Sequence, residues 1–156
     1  MGYTKTHLEE FVEALYMKIG VSRPAELDME LIAARMGITL EYIPGPSKGV
    51  EVGSHSIIML NNSLSSVLQW QEFAHELAHI LRHSGNQYLI PRDFRMLQEW
   101  QASHFALYFC IPGFMLQDID FPNSKQEAIL KVMDVFHVTP TFAATRLDQW
   151  FNHIFF

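Results

Sequence analysis

Leu8, Phe11, Val12, Leu15 and Ile19 return at intervals of three and four residues, the spacing that lays an apolar stripe along one face of a helix. Thr6 followed by Glu9 matches a capping box, so the pattern predicts a helix over about 6–19. A second short helix is predicted from about Pro24 to Met36, with Gly37 as its C-terminal stop. The periodicity then changes. Ile38–Ile43, Val50–Val52 and Ser56–Leu60 carry the β-branched content of short strands, separated by Pro and Gly, and suggest a sheet of about three strands.

Helical spacing resumes at Leu64, Val67, Leu68, Phe73, Leu77, Ile80 and Leu81, in a run free of Pro and Gly. Ser63 or Ser65 is placed to cap its start, and Gly85 to end it. A further helical run around Met96–Leu107 is closed by Pro112, and two more are expected over Ser124–Phe136 and Thr139–His153. The expected class is α+β. A small three-stranded sheet packs on the 64–81 helix and on further helices, and the C-terminal part is helical. Residues 1–156 read as one domain, with a core over 1–120 and a helical subregion over 121–156.

Composition narrows the classes of function. The chain has 156 residues, 49% hydrophobic and 18% charged, enough for one sizeable core. Its net charge of −6 argues against a nucleic-acid-binding face, which is ordinarily basic. No stretch is long and apolar enough to span a bilayer, and no signal-type start is present, so a cytoplasmic protein is expected. The single cysteine, Cys110, sits among Tyr108, Phe109 and Ile111 and reads as buried. Trp150-Phe151-Asn152-His153-Ile154-Phe155-Phe156 carries unusual aromatic weight. It either packs on the core or offers a surface for self-association.

The chemistry lies within the 64–81 helix. His75-Glu76-Leu77-Ala78-His79 places two imidazoles four residues apart on one helical face, within reach of a single zinc ion, with a carboxylate beside them. A catalytic zinc takes three protein ligands, so one more is required. His83 lies about 12 Å along the helix from His75 at 1.5 Å per residue, too far to share the ion, and reads as an outer contact. The metzincin arrangement is excluded, because Arg82 and Gly85 stand where its Gly and His belong. Glu99 is the preferred third ligand. It is the one acid between Asp93 and Asp118, on a helix whose Ala102 and Ala106 would permit close approach to Ala78. Ser103, one turn further, is placed to hydrogen-bond a ligating imidazole. His104 is the reserve ligand.

Two segments carry a family resemblance. Phe73-Ala74-His75-Glu76-Leu77-Ala78-His79-Ile80-Leu81-Arg82-His83 resembles the His-Glu-x-x-His helix, with its trailing His, of ImmA/IrrE-type metallopeptidases. These are small bacterial and phage zinc proteins linked to mobile-element repressors and stress regulators. Glu99-x-x-Ala102-Ser103-x-Phe105-Ala106, running to Pro112, resembles that family's Glu-x-x-Ala-Asn/Asp-x-Phe-Ala helix. Ala78 stands for the usual Gly, and Ser103 for the usual Asn or Asp.

The resemblance implies a zincin-like fold and a Zn2+-dependent endopeptidase whose substrate is a helix-turn-helix repressor of a phage or integrative element. It also implies that the substrate binds as an extended strand along a sheet edge, for which the Ser54–Leu60 segment is the candidate; the alternative is that this segment is an interior strand. Glu76 is expected to accept a proton from water and pass it to the leaving amine. His55, Tyr88, His83 and His104 remain open as the donor that steadies the oxyanion, with Tyr88 favoured because the 84–95 loop could rim the site. The competing expectation is a non-catalytic anti-repressor, or binding module, with a structural metal.

Overall fold

The first turn of the N-terminal helix closes as the sequence predicts. In α1 (His7–Lys18) the Thr6 hydroxyl accepts the Glu9 N–H, and the Glu9 carboxylate accepts the Thr6 N–H. Phe11, Val12 and Tyr16 turn inward, and the Tyr16 hydroxyl donates to the Phe109 carbonyl at 2.6 Å. The structure is a computed structural model. It describes residues 5–83 and 95–155, with side chains for 5–82 and 98–152.

The helix expected over 24–36 is broken in two. Pro24–Glu26 forms a single 3-10 turn, and α2 runs only over Met29–Met36. Glu26 Oε1 accepts the N–H groups of Ser22 and Arg23, which tightens the turn. Asp28 then adopts an extended backbone and caps Leu31, so a new helix starts where continuation was expected. Gly37, at φ 74°, ends it in the left-handed conformation that glycine adopts freely.

Strands β1 (Ile38–Ile43), β2 (Lys48–Val52) and β3 (His55–Asn61) form a mixed sheet in the order β1-β3-β2. This corrects the expected edge. β3 is central, parallel to β1 from the Ile38–Ser56 pair onward and antiparallel to β2 from Lys48–Met59 onward. Ile58 and Leu60, fully buried on β3, anchor the sheet against the core. β2 is the edge nearest the site. A Cβ on Gly49 would lie 3.1 Å from the Glu76 carbonyl and 3.3 Å from Ile80, so a side chain there would press β2 away from the helix bearing the motif by a few tenths of an ångström.

That helix, α3 (Ser66–His83), starts at Ser65, whose hydroxyl accepts the Leu68 N–H. Trp70, Phe73, Ala74, Leu77, Ala78 and Ile80 are buried on one face. α4 (Arg95–Cys110) packs along α3, with Ala102 and Ala106 buried where small residues were expected. The Gly85 stop lies outside the described residues. Cys110 is fully buried, and burial pushes its thiol well above the ordinary range. Among the described residues no helix is long and apolar enough to cross a membrane.

Three elements complete the chain: α5 (Gly113–Leu116), α6 (Lys125–Phe136) and α7 (Pro140–Phe155). Trp150 is buried and Phe151 meets Phe121 edge-on at 5.4 Å, so this part of the aromatic tail packs inward. From α7, the fully buried Arg146 donates to the Ile111 carbonyl and to the Glu9 carboxylate at 3.1 Å, joining the last helix to the first. Gly113 leaves room for this pair, since a Cβ there would fall 2.3 Å from Glu9 Oε2.

Candidate metal centre and cleft

α3 presents His75, Glu76 and His79, all half-buried, on the side that meets α4 and the edge of the sheet. α4 brings Glu99 between the two imidazoles. Its Oε2 lies 2.9 Å from His75 Nε2, and its Oε1 lies 3.0 Å from His79 Nε2. Ligand atoms of these three residues all fall within 4.8 Å of one another. Tetrahedral zinc with bonds of about 2.0–2.1 Å separates neighbouring donors by roughly 3.3 Å, so the Glu99 carboxylate needs to part from each imidazole only slightly for an ion to enter. Two nitrogens and a carboxylate oxygen, with no sulfur, are the donor types of a catalytic centre that keeps a position open, rather than of a closed structural one.

Two outer contacts bear on the imidazoles. Ser103 Oγ lies 3.2 Å from His75 Nδ1, on the ring nitrogen opposite the one that faces Glu99. A metal on Nε2 leaves the ring proton on Nδ1, and a hydroxyl there fixes tautomer and orientation. Arg82 Nη2 lies 3.0 Å from His79 Nδ1. Sequence reasoning missed this contact, although the helical spacing of three residues was its signal. Metal on His79 Nε2 would move the ring proton toward the guanidinium, so Arg82 must turn aside for that tautomer.

Glu76 stands beside the trio. Burial pushes its carboxyl above the ordinary range; His75 draws it back, Glu99 and Glu72 raise it further, and the Gly49 N–H lowers it. A carboxylate raised in this way is better matched to taking a proton near neutral pH.

Glu76, His75 and Ser103 line a cleft of about 540 Å3 that extends past Ala106 to Phe142 on α7, with Pro46 and Ser47 lining it from the connection that leads into β2. The Thr139 N–H donates to Gln71 Oε1 at 2.8 Å, which fixes the start of α7 against α3 and so holds Phe142 over the cleft.

Among the described residues, the remaining candidates do not join the group. His104 stacks on Trp100 at 4.9 Å and borders a separate cleft beside Thr6 and His7, so it is not the third member of the trio. Burial and the nearby Arg146 hold its pKa below the ordinary value. His55 is exposed at the first position of β3 and does not line the cleft. The His83 side chain, Tyr88 and the 84–94 rim lie outside the described residues.

Comparison with known proteins places the chain in a family. A peptidase family model described as the IrrE N-terminal-like domain matches residues 28–148. The phage-like element PBSX protein XkdA of Bacillus subtilis is 39% identical over 150 residues, spanning 96% of this chain and 76% of that protein. YqaB of the same organism is 36% identical over 154 residues, spanning 99% of this chain and 90% of that one. A Mycobacterium tuberculosis transcriptional regulator shares the fold at a TM-score of 0.61 and 16% identity. The match covers 88% of this chain but only 46% of that one, so this chain spans less than half of its length.

Proposed function

We propose, since this chain belongs to the ImmA/IrrE family of peptidases, that it is a zinc-dependent endopeptidase acting on a specific protein of the cytoplasm. One observation carries the proposal. His75, His79 and Glu99 converge within 4.8 Å, and Glu76 stands beside them in an open cleft. In this reading the three hold the metal, Glu76 is the base, and Ser103 steadies His75. A bound zinc supplies Lewis acidity, lowering the pKa of water toward neutrality and polarising a carbonyl. The protein's own part is to take a proton at the Glu76 carboxylate and return it to the leaving amine. Two further features fit this role. Gly49 brings the backbone of β2 against α3, and the Gly49 N–H favours the charged form of the Glu76 carboxylate.

The substrate in this reading lies extended along β2, not along β3, because β2 is the edge strand that packs on α3 beside Glu76. Main-chain pairing would supply affinity, and side chains dropping into the cleft would supply selectivity. The residue core is assigned to 1–120, with 121–156 as a helical subregion whose Phe142 reaches the cleft.

The favoured substrate is a helix-turn-helix repressor of a phage or integrative element. The family resemblance supports that choice, and so does the phage-like element to which one relative belongs. The net charge of −6 supports action on the repressor protein rather than on its DNA. Zinc-loaded protein mixed with a purified repressor from the same mobile element should cut it at a defined bond, as read by intact-mass spectrometry. A chelator should stop the reaction and added zinc restore it. A repressor that stays intact while forming a stable complex would overturn hydrolysis in favour of a non-catalytic anti-repressor.

A further inference from the structure

Glu72 lies one helical turn before Glu76 on α3, so both carboxylates leave the same face of the helix. It lines the cleft, is half-buried, and accepts a hydrogen bond from Ser47 Oγ, which in turn accepts the Asn61 N–H at 2.9 Å. This relay from the sheet fixes the direction of the carboxylate. It uses one of about four lone-pair positions on the group, so acceptor capacity remains. The described lining of the cleft contains no Lys or Arg, and its charged groups are Glu72 and Glu76 beside the His75 imidazole. Ala106 and Phe142 add an apolar wall.

An apolar wall ending at an oriented carboxylate complements one type of side chain, a long aliphatic stem with a cationic head. We propose that Glu72 is a specificity-determining residue that selects a lysine or arginine of the substrate near the scissile bond. This rests on the reading of the cleft as a peptidase site. The four residues from Glu72 to Glu76 rise about 6 Å along the helix, which equals about two residues of an extended chain. The basic side chain therefore sits within about two residues of the bond that is cut.

The Glu72–Ser47 bond also ties the rim to α3, so the test must separate charge from anchoring. Glu72→Gln keeps the size and an acceptor for Ser47 while removing the charge. Glu72→Lys reverses it. Zinc-loaded wild type and both variants are incubated with a proteome-derived peptide library, and the cut sites are read by mass spectrometry. Lys or Arg is expected to be enriched about tenfold at one position in the wild type, as befits a charge-assisted hydrogen bond in a partly desolvated cleft. That enrichment should collapse in Glu72→Gln at an unchanged melting temperature, and give way to Asp or Glu in Glu72→Lys. Wild-type cut sites without basic enrichment, or enrichment that survives in Glu72→Gln, would overturn the assignment while leaving the peptidase reading standing. A wild type that cuts neither the library nor the repressor would overturn the peptidase reading and this assignment with it, whereas cutting of the repressor alone, at a bond with no Lys or Arg within two residues, would overturn this assignment only.

Discussion

Replacing Glu76 by Gln should lower kcat/KM for cleavage by a factor on the order of 10^2–10^4, the range expected for loss of a general base, while leaving bound metal at the wild-type level. The amide has the size of the carboxylate and keeps an acceptor oxygen on the side of the Gly49 N–H. It cannot take a proton. The metal should be unaffected, because the converging ligand atoms belong to His75, His79 and Glu99. Cleavage rates and metal content measured on one preparation check both halves. A Glu76→Gln variant that still cleaves would remove Glu76 from the base role. One that loses metal would make it a ligand or a support of the centre.

The motif helix was legible because its chemistry is local: two His four apart project together on any helix. Glu99 could be read for a different reason, since few acids lie on a neighbouring helix whose alanines permit close approach. Strand order was not legible. All three strands are short, and the placement of β3 in the middle depends on a parallel pairing with β1, between segments 18 residues apart in the chain. The break in the 24–36 helix turned on whether Asp28 would continue a helix or cap a new one, and its carboxylate does the latter. The Glu72–Ser47 relay was hidden because its partners lie 25 residues apart and meet only once the sheet packs on α3. Glu9 was visible as half of a capping box. Its second role, as partner of a buried Arg146, required contact across 137 positions.

That second role has a large expected effect. Glu9→Ala should destabilise the fold by about 3–5 kcal/mol, because it leaves the Arg146 guanidinium buried without its anion. The side chains of the pair are 1% and 0% exposed, so water cannot replace the lost partner without opening the core. The same change removes the acceptor for the Thr6 N–H at the first turn of α1. At roughly 2–4 °C per kcal/mol for a domain of this size, the melting temperature should fall by about 6–20 °C. Thermal denaturation followed by circular dichroism reads the shift directly. A change within about 0.5 kcal/mol, as at an ordinary surface site, would mean that the pair is not a fixed part of the core.

The most direct test of the metal centre is elemental analysis of untagged protein purified without added zinc, comparing wild type with Glu99→Ala. The variant removes the carboxylate that lies within 3.0 Å of both imidazoles and leaves only two nitrogens to hold the ion. The expected loss of affinity exceeds the roughly 10–100-fold that follows removal of an outer contact. About one equivalent of zinc in the wild type and clear depletion in Glu99→Ala is the expected result for three protein ligands. Equal metal in both proteins would contradict Glu99 as the third ligand, and a wild type without tightly bound metal would contradict a resident zinc centre at His75 and His79.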